Sequence, residues 1–131
     1  MLLQLLRQAA WAPACVLVLH YFMVRSQYRT AFDAVHHFLG GAAIAFFLLQ
    51  AILIASPIIG RLRPVASYLF AFALACVAAV FWEIAEFAFD QLLRTQIQTS
   101  LPETMADLIF GVVGAVTALG LIAVFRSGDQ G

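Results

Sequence analysis

Residues Val65–Phe89 read VASYLFAFALACVAAVFWEIAEFAF. The run carries no charge from Val65 through Trp82, and then Glu83 and Glu86 follow within one turn. A helix that spans a bilayer needs roughly 20 mostly apolar residues, so the stretch predicts a transmembrane helix. From Val65 to Glu83 the helical rise covers roughly 27 Å. That length sets Glu83 and Glu86 at the outer boundary of the hydrocarbon core or slightly within it, with Asp90 nearer water. Ionisable groups at such a depth face the bundle interior or a wet cavity and have partners.

Three further stretches have the same character, at about residues 9–24, 35–59 and 105–125, and the first extends back through the apolar start Met1–Leu6. Together with 65–89 they predict an all-α, polytopic four-transmembrane-helix bundle with both termini on the same side. Little sequence remains between them, so residues 1–131 read as a single membrane domain. Composition agrees: 64% of the 131 residues are hydrophobic, 11% are charged, and the mean hydropathy is +0.98. A soluble domain would carry about a quarter charged residues. Arg7 and Ala10-Trp11-Ala12 faintly resemble a signal peptide, but the apolar run continues past a normal h-region, so the first span is read as retained. There is no lysine and no basic stripe, which argues against nucleic acid as a partner. Cys15 and Cys76 fall inside spans, without disulfide or zinc spacing, and read as buried inert thiols.

Charge is laid out unevenly. Arg7, Arg61, Arg63, Arg126 and the terminal amine fall on one side, and Arg25, Arg29 and Arg94 on the other. The positive-inside rule then sets both termini in the cytoplasm of a bacterial cell, with the chain in the inner membrane. Asp33, Glu83, Glu86, Asp90, Glu103 and Asp107 all fall at the opposite end, with His20, His36 and His37; Asp129 is the one acid outside that layer.

Glu83, Glu86 and Asp90 form one helical stripe, on which bare anions would repel. A metal ion, the imidazoles, Arg94 or Arg29 could relieve them, and an interhelical ion-pair network is the alternative to a metal or proton site. Asp33 reaches His36 or His37 at helical spacing as an orienting partner, or caps the helix start. Adjacent histidines point about 100° apart, so one of them looks into the centre. Ser100-Leu101-Pro102-Glu103 fits a capping box, which gives Glu103 a structural role. Asp107 heads a small-residue seam of Gly111, Gly114 and Ala118 and points at another helix. Trp82 reads as an interface anchor, and His20 as a satisfied polar group. The candidate metal ligands are therefore His36, His37, Glu83, Glu86 and Asp107, supported by Asp33, Asp90 and Glu103. Imidazole with carboxylates suits iron, manganese or zinc.

The order Asp33-x-x-His36, Trp82-Glu83-Ile84-x-Glu86, then Glu103-Thr104-x-x-Asp107-Leu108 followed by Gly114-Ala115 resembles the YjdF-like small bacterial integral membrane family. More distantly it is similar to the VanZ-like membrane proteins. The resemblance covers about residues 30–118 and implies the fold and the positions of the site, not a reaction. Ala34 stands where the VanZ-like pattern has lysine, Phe110-Gly111 where it has asparagine, and Glu103 where the YjdF-like pattern has aspartate.

Three functions are compatible with these residues. The first is a metal-binding membrane protein, which includes a metalloenzyme acting at the outer leaflet. A second is a non-enzymatic accessory subunit packed laterally against partner membrane subunits, in which the 12 phenylalanines meet lipid, pigment or protein and the histidines ligate a haem or chlorin. The third is a proton-coupled transporter, against which stands the confinement of the acids to one end.

Overall fold

A computed structural model describes residues 1–23 and 29–128 of the chain, with the side chains of 29–31 left out. Val24, Arg25 and Asp129, which entered the span and charge reading, lie outside the described residues, as does the side chain of Arg29. Among the described residues six helices follow in order: α1 Leu2–Gln8, α2 Trp11–Met23, α3 Arg29–Ile54, α4 Ser56–Ile59, α5 Pro64–Leu93 and α6 Leu101–Gly128. Within α3, α5 and α6 the stretches Phe32–Ile54, Pro64–Leu93 and Leu101–Gly128 are each long and apolar enough to cross a membrane. The α1–α2 pair passes that test only when taken together, bent by 58°.

Prolines set the breaks. The expected first span is not one straight helix, because Pro13 has no N–H for the carbonyl of Ala9 and its ring crowds that carbonyl. The chain turns at Ala9–Ala10, where the indole N–H of Trp11 donates to the carbonyl of Gln8 at 3.2 Å. With 13 residues, α2 alone covers roughly 20 Å, short of the ~30 Å hydrocarbon core. Pro57 acts likewise on the second expected span: α3 stops at Ile54 and residues 56–59 form a separate turn, α4. Pro64 opens α5 after an extended Arg63, and Arg94 closes it in the left-handed conformation at φ 54°.

α3 lies at the centre and packs on α2, α5 and α6, most extensively on α6. Without a hydrophobic force between helices in lipid, association depends on close approach. Gly41 and Gly114 provide it: a methyl on Gly41 would overlap the Gly111 carbonyl, and one on Gly114 the Phe38 carbonyl. Farther along, the core is Ala45, Leu49, Ala71, Ala75, Ala115 and Leu119. Large apolar side chains such as Leu69, Phe70, Val77 and Phe81 point outward, which suits contact with lipid. Cys15 is on that outer surface and Cys76 is half-buried; both are free, so neither is the fully buried thiol expected of it.

Candidate metal centre

The helices run alternately, so the C-terminal part of α5 meets the N-terminal parts of α3 and α6. One layer of the bundle therefore collects polar side chains from several helices. His37 of α3 is its hub, with a side chain only 9% exposed. Its Nε2 faces Asp33 Oδ1 at 3.6 Å and Asp107 Oδ1 at 3.7 Å, and its Nδ1 faces Glu83 Oε1 at 3.6 Å. These separations are longer than hydrogen bonds. Two ligand atoms on one first-row metal, each about 2.1 Å from it, stand roughly 3–3.5 Å apart, close to the spacing seen here.

The carboxylates of α5 are individually positioned. Glu83 is buried, and the side-chain amide of Gln98 donates to its Oε2 at 3.2 Å and to its backbone carbonyl at 3.0 Å. The indole N–H of Trp82 donates to Glu86 Oε1 at 2.8 Å, one turn along the same helix. Each acid thus gives one oxygen to a neutral donor and keeps a second. His37, Glu83 and Glu86 offer three ligand atoms within 4.8 Å of one another, and Asp33, His36 and His37 offer a second such group. A cavity of about 20 Å³ touches His20, Asp33, His36, Glu86, Gln98 and Asp107, with room for one water or one ion.

The expected stripe of three acids divides into two tasks. Asp90 works on the loop instead: Thr95 Oγ1 donates to its Oδ1 at 2.6 Å, the amide of Ile97 to the same oxygen at 2.8 Å, and the amide of Gln98 to Oδ2 at 2.9 Å. That loop carries Gln98 over Glu83. Glu103 closes the α6 start, where its amide donates to Ser100 Oγ at 3.3 Å while the Thr99 amide and hydroxyl donate to Glu103 Oε2. Asp33 sits four residues inside α3, too far to cap it, and serves His37 one turn on.

Three residues of the layer carry more than their sequence reading gave them. Trp82 is a hydrogen-bond donor to the site as well as an aromatic wall. The His20 ring stacks 4.8 Å from His36 and edge-on to Trp82 at 5.1 Å. Gln98 has no sequence signal beyond lying in the loop before α6, whereas the Trp82–Glu86 pair is legible as an i,i+4 spacing. His36 is 5% exposed, and its Nε2 has no hydrogen-bond partner among the described residues.

Replacing Asp90 with alanine removes three hydrogen bonds to two acceptor oxygens and leaves the Gln98 side chain on Glu83 as the loop's tie to α5. Hydrogen–deuterium exchange at the Ile97 and Gln98 amides is expected to accelerate by roughly 10-fold or more, the loss of about 1.5–3 kcal/mol per charged hydrogen bond being only partly recovered by water. Unchanged exchange there would refute this role.

No solved structure matches the chain. An uncharacterized protein of Thermotoga maritima is 33% identical over 97 residues, covering 73% of this chain and 50% of that relative. The chain thus spans about half the length of that relative. Residues 8–128 match the family described as "Predicted membrane protein (DUF2238)". With its apolar helices and its buried cluster of histidine and carboxylates, this multi-pass protein of the lipid bilayer belongs to that family of predicted membrane proteins.

Proposed function

We propose that the protein is a membrane-embedded metal protein that holds one divalent cation, iron, manganese or zinc, between His37, Glu83 and Glu86. The observation that carries this reading is the convergence of three ligand atoms from two helices within 4.8 Å, at a buried layer. The donor set fits the group: one imidazole nitrogen and carboxylate oxygens suit these borderline and hard cations. His37 Nδ1 is the ligand facing Glu83, and Nε2–H is turned to Asp33 and Asp107, the carboxylate partners that fix tautomer and ring orientation. Gln98 and Trp82 hold the second oxygens of the carboxylates. A bound cation would supply Lewis acidity at the membrane boundary.

In this reading the chain is a single membrane domain in the bacterial inner membrane, with the bent α1–α2 pair as a fourth span and both termini in the cytoplasm. Its finer placement is beside the YjdF-like proteins, on the strength of Trp82-Glu83-Ile84-x-Glu86 and Glu103-Thr104-x-x-Asp107. The apolar core of Ala45, Leu49, Ala71, Ala75 and Leu119 weighs against a proton path through the other half.

The test is metal content. Protein purified in detergent is expected to carry roughly one transition-metal ion per chain, and to lose it in His37→Asn and Glu83→Gln, because no preformed site survives loss of a ligand. Asp107→Asn, which touches only the orienting partner, should weaken the metal by roughly 10–100-fold. Wild-type protein that binds none of the three metals on titration would end the reading.

A further inference from the structure

Directly beneath the carboxylate layer lies an apolar chamber of about 300 Å³ between α2, α3, α5 and α6. Small residues make it: Gly40 and Gly41 on α3, Ala75, Ala78 and Ala79 on α5, and Gly111 on α6 leave the space that larger side chains would fill. Its polar end is formed by His36, His37, Asp107 and Trp82. His36 and Asp107 also line the small cavity of the metal layer, so the two spaces share a wall. On the other side the chamber is bounded by Val16 and Leu17 of α2, and Leu17 is 53% exposed on the outer surface of the bundle.

We infer that this chamber binds a single-chain lipid with an uncharged, hydroxyl-bearing head, its chain among the glycines and alanines and its head on His36. The inference rests on the metal reading for the charge balance of the layer, and three features support it. First, an apolar void reached from a bilayer fills with hydrocarbon rather than water, since packing contacts would otherwise be forfeited. Its volume is about twice that of the ~150 Å³ engineered cavity that takes benzene, which allows one chain of roughly ten to twelve carbons and not two. Second, His36 lines both spaces and is buried, and its Nε2 has no hydrogen-bond partner among the described residues. An orphaned ring nitrogen on a residue that walls the chamber's polar end is satisfied by a hydrogen-bonding group from outside the chain once the ring shifts toward the space. Third, Asp33 and Asp107 repel an anionic head, and a divalent cation held on Glu83 and Glu86 repels a cationic one. A hydroxyl both donates and accepts, and suits either tautomer of His36.

The probe is a photoreactive monolauroylglycerol with a diazirine in its chain, applied to the full chain in phosphatidylcholine nanodiscs, free of alkyl detergents. Crosslinks are expected on α2 and α5 around Val16, Leu17, Ala78 and Ala79. Unlabelled monolauroylglycerol should compete about ten-fold better than lauric acid or dodecylamine, the difference one hydrogen bond to a buried group makes. Gly40→Leu fills the chamber without forcing the backbone, because a Cβ there meets only Val16 Cγ1 at 3.9 Å. That variant, and Ala78→Leu as a second filling, should abolish the specific crosslinks and leave metal content unchanged. His36→Phe should remove the preference for the hydroxyl head.

Crosslinks scattered over the lipid-facing helices, or undiminished by both fillings, would overturn the inference, as would a preference for the acid or the amine. Specific crosslinking in protein that binds no metal would sustain the lipid site and defeat the metal reading. Full metal content without specific crosslinking would do the reverse.

Discussion

Gly114→Ala and Gly41→Ala are expected to destabilise the protein by about 3 kcal/mol or more each, through a single added methyl. At both positions the new carbon would coincide with a backbone carbonyl of the opposing helix, Phe38 for Gly114 and Gly111 for Gly41. A side chain that is struck can rotate away; a carbonyl cannot move without its helix. Accommodation therefore requires α3 and α6 to separate, which also pulls Asp107 from His37 one to two turns away. Two controls share the helix and the substitution. Gly111→Ala would bring a Cβ to 3.7 Å from Ala79 Cβ, an ordinary contact, and Gly120→Ala meets nothing within 4 Å. The first should cost little and the second should gain up to about 1 kcal/mol from helix propensity. Denaturation in mixed micelles, followed by tryptophan fluorescence, gives all four values. If Gly114→Ala matches Gly120→Ala, the seam between α3 and α6 is not where the structure places it.

His37→Leu is expected to cost about 3 kcal/mol in metal-free protein, as large a change as any single side chain of the polar layer should produce. The ring stands between three carboxylates on three helices, Asp33 of α3, Glu83 of α5 and Asp107 of α6. Removing it leaves them buried against one another with an apolar residue between. The penalty is chiefly that of the partners left behind, not of the lost contact. A second change should therefore recover part of it: Glu83→Gln or Asp107→Asn on the His37→Leu background restores about 1 kcal/mol or more, although either is destabilising alone. The coupling comes from a double-mutant cycle. Strictly additive costs would mean that His37 and the acids do not act as a unit. Chelator treatment before measurement separates this effect from metal loss.

Much of the fold is legible because lipid imposes one simple demand, that long apolar runs be helical. Val65–Phe89 illustrates it: length and hydropathy predict a helix, and α5 runs Pro64–Leu93. Prolines are where the helices depart from the hydropathy. Pro13 and Pro57 were inside runs whose hydropathy hardly changes across them, yet a missing donor and a crowded carbonyl break the helix regardless of hydropathy. In the polar layer, alternation of spans predicts that acids and histidines share one end. It does not predict their tasks. Asp90 and Glu83 share a helical stripe, but one organises a loop and the other faces His37, because the loop before α6 returns over α5 and presents its amides to Asp90.

The Val65–Phe89 run by itself predicts a membrane-crossing helix with Glu83 and Glu86 toward one end of it. Hydropathy and helical rise are local quantities, and they suffice for position along a span. Which of two adjacent histidines becomes the hub is not local. His36 and His37 differ by about 100° around one helix, and only the docking of α5 and α6 on α3 turns His37 to the carboxylates and leaves His36 to the chamber. That docking is fixed by Gly41 and Gly114, where backbone meets backbone. A glycine carries no chemistry in sequence, and its meaning here comes from the carbonyl of another helix.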